Sequence, residues 1–388
     1  MKILAVADSD SYLKWAACLL DDLPAGCHAE LAVVRTPIVP SAQQIAAAAG
    51  ARPLAGVLSA RALRRTAERL RPDAIVVACT GPVVDVLVSS VLAGLRPRPV
   101  FVTGLPGIAV PATEKAWLYR SGCDLFVAHS AREVAEFEAL SRQLGGGGAV
   151  GLARLPFLRT APTPGRPQAA GERRRVVFAT QAKVPGPREQ RERILLALAE
   201  LAEARPDLDV VVKLRALEGE RQTHNERHPY PRLWRDLGEP GRLSFEAGSM
   251  QEHLDRAAGF VTVSSTAALE AIAREVPLLV LDDFGVSAEM INLVFEGSGV
   301  LGSLAELAAG RFRDPDPAWC EANYFQRDSD WVGLLTALAA GPRMRSRSLL
   351  DGPEHAAARR RARLRVEVPP RLLRAGYRAK RKLRRALA

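Results

Sequence analysis

The sequence predicts an α/β protein that contains two doubly wound parallel sheets in two consecutive domains. Short, apolar, β-branched runs alternate with helical patterns, as expected for buried parallel strands that are joined by helices. The alternation stops near residue 145 and restarts at residue 175, after a segment rich in Pro, Gly and Arg. A chain of 388 residues is also longer than one ordinary core accommodates. These observations together predict two domains of the same type.

The order of elements follows from the periodicity of the apolar residues. In the first half of the chain, the pattern predicts helices over 11–20 and 60–70 and strands over 3–7, 31–34, 74–79, 100–103 and 125–129. In the second half, it predicts helices over 188–204 and 267–274 and strands over 175–180, 210–214, 243–246, 260–263 and 278–281. We therefore expect an N-terminal domain over 1–158, a linker over 159–174, a C-terminal domain over 175–340, and a helical or disordered tail over 341–388.

The net charge of +11 is concentrated in the tail. Residues 341–388 contain 16 Lys or Arg against 3 Asp or Glu, so the rest of the chain is close to neutral. A basic segment with a thin apolar stripe over 356–388 is typical of a surface anchor on anionic lipid. Nucleic acid is the competing polyanion, and a solubilising tail is the third alternative.

The compartment is predicted from what the sequence lacks. The five cysteines are scattered and form no C-x-x-C pair, which indicates free thiols in a reducing cytoplasm. The first ten residues become acidic early and fit a strand rather than a signal peptide. No apolar run approaches the roughly 18 residues of a membrane span. We expect a cytoplasmic protein, peripheral on the inner face of the plasma membrane through its tail.

The most informative segment is the predicted strand–helix–strand unit over 261–281. Three hydroxyl side chains, Ser264, Ser265 and Thr266, stand where the helix begins, and Glu270 follows in its first turns. The first N–H groups of a helix lack partners and its dipole is positive there, so such an end binds phosphate. Ser and Thr are also ordinary helix N-caps, which is the structural alternative. The functional interpretation predicts a nucleotide-binding enzyme.

A second group of polar residues follows the predicted strand over 210–214. Lys213 and Arg215 lie at its carboxyl end, where a phosphate would dock in a parallel sheet. His228 and Pro229 follow in a loop, and His224 with His228 gives the spacing of a metal site. Pro229 disfavours helix at His228 and no third ligand is apparent, so no metal is predicted.

The order of a basic strand end, a His-Pro pair and a strand–Ser-Ser–helix unit resembles the C-terminal domain of GT-B glycosyltransferases. It is most similar to bacterial sialyl- and polysialyltransferases and to CDP-glycerol glycerophosphotransferases, and residues 1–340 also resemble a group of actinobacterial glycosyltransferases. The resemblance implies two Rossmann-like domains that face a cleft, a nucleotide-activated sugar as co-substrate and no further cofactor. It places His228 and Pro229 at the nucleotide, the three hydroxyls at the phosphate, and Glu270 at the donor ribose.

The resemblance also has consequences for the reaction. Glu270 is followed by Glu275 rather than by a glutamate eight residues on, which departs from many retaining enzymes and favours inversion. An inverting transfer needs a general base for the acceptor hydroxyl. Three carboxylates of the N-terminal domain are candidates: Asp8 and Asp10 follow the first strand, and Glu114 lies in a loop with Gly and Pro. Asp8 or Asp10 could equally cap the helix that follows.

The leading hypothesis is therefore a metal-independent glycosyltransferase that acts on a cell-envelope or secreted glycan, with a lipid-linked acceptor as one form. A sugar-nucleotide epimerase of the same architecture is the alternative among enzymes. A non-catalytic protein that binds nucleic acid through its tail is the alternative outside enzymes, and it is the less favoured. The four glycines 145–148 precede no Lys-Ser or Lys-Thr, so they are predicted to be linker material rather than a phosphate loop.

Overall fold

A computed structural model of the chain describes residues 1–50, 52–155, 158, 173–214, 226–342 and 347–368. It divides into two compact units, one formed by Met1–Pro156 with Arg327–Ala388 and the other by Phe157–Gln326. Each unit contains one parallel sheet with helices that pack against it. The predicted α/β class with two parallel sheets is therefore confirmed.

The strands of each unit are short and consecutive along the chain. Within the described residues, the first unit contains β1 (Lys2–Ala7), β2 (His28–Val34), β3 (Leu54–Leu58), β4 (Ala74–Ala78), β5 (Val100–Gly104), β6 (Leu125–Ala128) and β7 (Ala149–Leu152). The second contains β8 (Arg175–Ala179), β9 (Asp209–Lys213), β10 (Ser244–Glu246), β11 (Ala257–Thr262), β12 (Leu278–Leu281) and β13 (Leu301–Gly302).

Helices connect these strands. In the part of the chain that the structure describes, the α-helices of the first unit before residue 150 are α1 (Asp10–Leu20), α2 (Ala42–Ala49), α3 (Ala60–Leu70), α4 (Gly81–Val86), α5 (Glu114–Leu118) and α6 (Ala131–Leu144), and a π-helical turn over Leu87–Val91 follows α4. The second unit adds α7 (Arg188–Ala204), α8 (Tyr230–Asp236), α9 (Met250–Asp255), α10 (Ala267–Ala273), α11 (Leu304–Ala308) and α12 (Pro317–Ala322). The chain then forms α13 (Trp331–Ala340) and α14 (Ala356–Glu367).

Both sheets have the doubly wound topology. The first has the strand order β3-β2-β1-β4-β5-β6-β7 and the second the order β10-β9-β8-β11-β12-β13, with all paired strands parallel. Parallel strands with helices on both faces are buried on both sides, which explains their continuous apolar runs. In β1, for example, Ile3 packs in the cluster around Trp15, whereas Leu4 packs in the opposite cluster around Leu63.

Every predicted strand and helix occurs within three residues of its predicted bounds. The helices over 60–70 and 188–204 and the strand over 278–281 have the predicted bounds. Strands β3, β7 and β13 were not among the predictions. Each is short, and each lies in a stretch with Gly and little β-branched character, so periodicity alone gives a weak signal.

The C-terminal part of the chain packs on the first unit rather than the second. Trp331 at the start of α13 is fully buried in the cluster that contains Trp15, and its Nε1 donates to Asp22 Oδ2 at 3.3 Å. Helix α13 contacts β5, β6 and β7. The second unit therefore ends earlier than the C-terminal domain expected over 175–340, because residues from Arg327 onward belong to the first unit.

The tail predicted over 341–388 is docked for as far as the structure describes it. Asp85 of α4, 3% exposed, accepts from Ser348 Oγ at 2.8 Å and from Arg359 Nε at 2.7 Å. Val366 of α14 is buried in the same cluster as Leu63. Residues 347–368 are thus part of the first unit, and the expectation of a separate appendage is wrong for them. Residues 369–388 lie outside the described part.

The glycine run predicted as linker material is instead closely packed. Gly147 donates its backbone N–H to Ser121 O at 2.9 Å and has a φ of 73°, in the left-handed region that favours glycine. A Cβ on Gly148 would lie 1.7 Å from the carbonyl oxygen of Asp124. The run therefore leads into β7 so close to the Asp124 backbone that only glycine fits at position 148.

We expect Gly148→Ala to lower the free energy of unfolding by about 3 kcal/mol, because the new methyl group must displace the Asp124 backbone. Urea denaturation measures the change. Gly333→Ala is the control, since no atom lies within 4 Å of its added Cβ and an alanine inside α13 should stabilise the helix by up to about 1 kcal/mol. Equal stabilities of Gly148→Ala and the parent protein would contradict the close packing.

Candidate active site

The strand order of each sheet places one candidate site in each unit. In the first sheet the order reverses between β1 and β4, and in the second between β8 and β11. Ligands of doubly wound sheets bind outside the carboxyl ends of the strands at such a reversal. The predicted residue Asp8 follows β1 directly, and Ser264 lies two residues after β11, so each lies at one of these two points.

In the second unit, a pocket of about 290 Å³ lies at this edge of the sheet. Its lining residues come from the ends of β8 and β9, from α9 and from the start of α10: Ala179, Thr180, Gln181, Lys213, Leu214, Met250, Ser265 and Thr266. Lys213 is 7% exposed, and its Nζ donates to the carbonyl oxygen of Leu214 at 2.7 Å. The register pairs Ala179 with Lys213, which brings the ammonium group to the end of β8.

The three predicted hydroxyls have different environments. Ser264 is buried, and its Oγ donates to Gln181 Oε1 at 2.9 Å, so it supports the β8–α7 loop. Ser265 lines the pocket, and its Oγ also accepts from the backbone N–H of Ala267 at 3.2 Å. Thr266 is the N-cap of α10 and makes no side-chain cap hydrogen bond. The structure therefore brings Ser265 and Thr266 to the pocket together with Lys213, whereas Ser264 is directed to Gln181.

Two further predicted residues belong to this region. Glu270 is the fourth residue of α10 and is half-buried, and its carbonyl accepts from Arg274 at 3.4 Å. Arg215 lies outside the described residues, as does His224. Glu270 therefore has the predicted position in the helix, and its contact with a ribose stays a prediction.

His228 and Pro229 lie away from the pocket at Lys213, in another part of the second unit. Pro229 is the N-cap of α8, and His228 lines a pocket of about 740 Å³ with Lys183, Arg188 and Arg227 among others. This pocket and the pocket at Lys213 share no lining residue. The β8–α7 loop contributes to both, Gln181 to one and Ala182 to the other.

Arg191, which was not among the predicted residues, holds that loop and the His-Pro segment together. It is 1% exposed and donates five hydrogen bonds, which end on Pro185 O, Glu226 Oε1, His228 O, Gln181 O and Ala182 O at 2.5–3.0 Å. Its guanidinium group also lies 4.9 Å from the centre of the Tyr230 ring. A signal was present in the sequence, because Arg191 falls on the apolar face of α7 with Ile194 and Leu198.

In the first unit, Asp8 is fully buried at the end of β1. Its Oδ2 accepts from the backbone N–H of Thr80 at 3.0 Å and from Thr80 Oγ1 at 2.6 Å. Its Oδ1 is buried and accepts no hydrogen bond from a described residue. Burial raises the pKa of Asp8, and the contacts with Thr80 oppose that shift in part.

A buried arginine lies close to Asp8. Arg120 is 4% exposed; it donates to Tyr12 Oη at 2.6 Å, to Gly104 O at 3.0 Å and to Cys79 O at 3.3 Å. Its positive charge favours the ionised form of Asp8. Arg120 was not among the predicted residues, because most of its partners are far away along the chain. The arrangement gives a carboxylate of increased basicity that still has a cation nearby.

The other candidates for the general base are placed differently. Asp10 is the first residue of α1 and forms an ion pair with Lys14 at 2.8 Å. Ser9 is the N-cap of α1, so neither Asp8 nor Asp10 has the capping role that was the structural alternative. Glu114 is exposed at the start of α5. Which of the three carboxylates accepts a proton stays a prediction.

The described residues also bear on metal binding and on membrane insertion. No group of three or more His, Cys, Asp or Glu side chains is arranged there to hold a metal ion. Among the helices that the structure describes, none is long and apolar enough to cross a membrane.

Two Rossmann-like units, each with polar residues at its topological switch point, define a protein of the GT-B-like fold class. Residues 3–338 match a family described as "Putative glycosyltransferase (DUF6716)", and the chain belongs to that family. It is therefore an enzyme of the glycosyltransferase class. No curated protein sequence matches the chain.

Solved structures that resemble the chain share its fold at low sequence identity. MnaA of S. aureus, solved with UDP, is 14% identical with a TM-score of 0.54, over 80% of this chain and 86% of that one. UDP-GlcNAc 2-epimerase of Neisseria meningitidis, bound to UDP-GlcNAc, is 10% identical with a TM-score of 0.53, over 80% and 90%. The Methanocaldococcus jannaschii epimerase in complex with UDP-GlcNAc and UDP is 11% identical with a TM-score of 0.54, over 88% and 100%. The GT-B-like fold that the sequence resemblance implies is confirmed.

Proposed function

We propose that the protein transfers a sugar, or a sugar-like group, from a nucleotide-activated donor to a cell-envelope or secreted glycan. The observation that carries this proposal is the polar pocket of the second unit, which is lined by Lys213, Ser265 and Thr266. An ammonium group, two hydroxyls and the N-terminus of α10 are suited to the negatively charged phosphates of a donor. Glu270, farther along α10, is proposed to meet the donor ribose.

The donor nucleotide is proposed to be a pyrimidine nucleotide. The sequence resemblance to sialyltransferases and CDP-glycerol glycerophosphotransferases supports a cytidine nucleotide. The structural likeness to proteins solved with UDP or UDP-GlcNAc supports a uridine nucleotide. His228 and Pro229 are proposed to approach the nucleotide from the neighbouring pocket, to which the β8–α7 loop also contributes.

The reaction is proposed to invert the anomeric carbon and to need no metal. The acceptor oxygen attacks that carbon, the bond between the sugar and the phosphate oxygen breaks, and the acceptor proton passes to a carboxylate. Lys213 and the start of α10 offset the charge that develops on the leaving phosphate. Asp8 is the favoured base, because burial raises its pKa and its Oδ1 accepts no hydrogen bond from a described residue.

Epimerisation of a sugar nucleotide is the second candidate function, since the fold is shared with UDP-GlcNAc 2-epimerases. The two reactions differ in what they release. A transferase forms free nucleotide only when an acceptor is present, whereas an epimerase interconverts two sugar nucleotides without one. Chromatography of the nucleotides after incubation with and without glycan acceptor separates these outcomes. Activity in the presence of a chelator tests metal independence.

We expect UDP or CDP to raise the melting temperature, because a ligand at 100 times its Kd adds about 2.7 kcal/mol to the free energy of unfolding. A thermal-shift panel of CMP, CDP, UDP, GDP and UMP identifies the base. The double variant Lys213→Ala with Ser265→Ala should lose the shift, because both phosphate contacts are removed. Arg311→Ala is the control, since this exposed cation of the second unit lines neither pocket. Equal loss in both variants, or none in either, would contradict the phosphate site.

A further inference from the structure

Helices α3 and α14 together form an arginine-rich face on the first unit, although about 290 residues separate them in sequence. Both helices pack on the same apolar cluster, α3 through Leu63 and Ala67 and α14 through Ala362 and Val366. They also contact each other directly. The arginine-rich face is defined here as the exposed cations of these helices: Arg61, Arg65, Arg69, Arg360, Arg361, Arg363 and Arg365.

The docking of α14 is specific, so this juxtaposition is built into the fold. Arg359 lies on the same side of α14 as Ala362 and Val366, at the spacing of one helical face. It binds the buried carboxylate of Asp85 at 2.7 Å and the exposed carboxylate of Asp351 at 2.6 Å, and it also contacts Ser89 Oγ. With Arg359 and the apolar residues directed inward, the remaining arginines of α14 are left exposed.

The charges of this face are poorly compensated. Arg61, Arg65 and Arg69 are spaced by four residues, so they lie in one row on α3, and like charges at that spacing weaken a helix. Among the described residues no ion pair is formed by these three arginines or by Arg360, Arg361 and Arg365. Arg363 is paired with Glu367. A row of unpaired arginines that opposes helix stability is best explained by a partner of negative charge.

We propose that the arginine-rich face binds the surface of an anionic lipid bilayer. Leu364 is 46% exposed among the arginines of α14, which suits insertion between lipid headgroups. Neither helix contains an aromatic residue on which a nucleobase could stack, so single-stranded nucleic acid is the poorer fit. The proposal is independent of the reaction proposed above. It gives α3 a role in membrane binding, whereas binding through the basic tail alone would not involve α3.

The experiment compares binding of the full-length chain to vesicles of phosphatidylcholine with and without phosphatidylglycerol. One variant reverses charge on α3 (Arg61→Glu, Arg65→Glu, Arg69→Glu) and a second reverses it on α14 (Arg360→Glu, Arg361→Glu, Arg365→Glu). Each should weaken binding to anionic vesicles more than tenfold, because each cation near such a surface contributes to affinity. The matched control makes the same charge change on exposed arginines of the second unit (Arg235→Glu, Arg256→Glu, Arg311→Glu) and should change binding less than threefold.

Residues 369–388 are unchanged in all variants, so the α3 variant separates the two-helix face from the tail. Wild-type binding by the α3 variant would overturn the proposal, as would equal binding to neutral and anionic vesicles. Binding to RNA without binding to anionic vesicles would overturn it as well. If a charge-reversed variant fails to fold, the corresponding glutamine variant takes its place, and the same criteria apply with a smaller change.

Discussion

Asp8→Asn is expected to lower kcat by roughly 10²- to 10⁴-fold, the usual contribution of a positioned general base. The substitution preserves the size of the side chain, and its carbonyl oxygen can still accept from Thr80. It removes the group that would accept the acceptor proton. The measurement is the steady-state rate of sugar transfer, with the thermal shift by nucleotide as a check that the donor still binds.

The pH dependence distinguishes a base from a purely structural carboxylate. Because burial raises the pKa of Asp8, the activity of the parent enzyme should rise as the pH passes through that raised value. Asp8→Asn should lack this rise, whereas Asp10→Asn and Glu114→Gln should retain it together with most of the activity. Retention of activity by Asp8→Asn, with loss in either of the other two, would reassign the base.

The raised pKa of Asp8 has the opposite effect on stability: its contribution to the free energy of unfolding falls as the pH rises. A carboxyl group whose pKa is higher in the folded than in the unfolded chain stabilises the fold most below its ordinary value of 3.8. That contribution is lost as the pH rises through the folded-state pKa. The free energy of unfolding of Asp8→Asn should therefore increase relative to the parent protein over this window, and denaturation at several pH values measures the difference.

Arg191→Ala is expected to lower the free energy of unfolding by about 3–5 kcal/mol. The substitution leaves the Glu226 carboxylate, 15% exposed, without its cation, and it leaves four backbone carbonyls without their donor. Arg191→Lys should recover only part of the loss, because an ammonium group cannot reproduce the planar guanidinium geometry. Because the β8–α7 loop is released, nucleotide affinity should fall as well.

Arg188→Ala provides the comparison for Arg191→Ala, one turn earlier on the same helix. Arg188 is 43% exposed and pairs with Glu192 and Asp236 at the surface, so its loss should cost far less stability than the loss of Arg191. Chemical denaturation of the two alanine variants gives the comparison. If both lose stability equally, the hydrogen bonds of Arg191 do not have the structural role assigned to them.

Sequence periodicity was sufficient for the architecture and for the positions of several candidate residues. Parallel strands carry continuous apolar runs, so the residues at their carboxyl ends could be identified, and Lys213, Ser265 and Asp8 were found in this way. The structure then separated Ser264 from Ser265, because which hydroxyl is directed to Gln181 depends on the conformation of one turn. No pattern in the sequence carries that information.

The buried arginines and the domain boundary were not predictable in the same way. Arg120 and Arg191 belong to a chain with many surface arginines, and their partners come from distant segments. Of the two, Arg191 could have been recognised as a cation on an apolar helix face. The apolar sequence of α13 predicts a buried helix, but it does not specify which of two similar sheets the helix covers.

The return of α13 and α14 to the first unit has a consequence for biosynthesis. A ribosome completes the segment from Phe157 to Gln326 before it makes Trp331, Arg359 and Val366, which are buried or paired in the earlier core. The nascent N-terminal unit must therefore keep part of its apolar surface uncovered until those later residues have been made. The second unit, which ends at Gln326, is synthesised in full before that point. It can therefore complete its core before the first unit does, although its synthesis begins later.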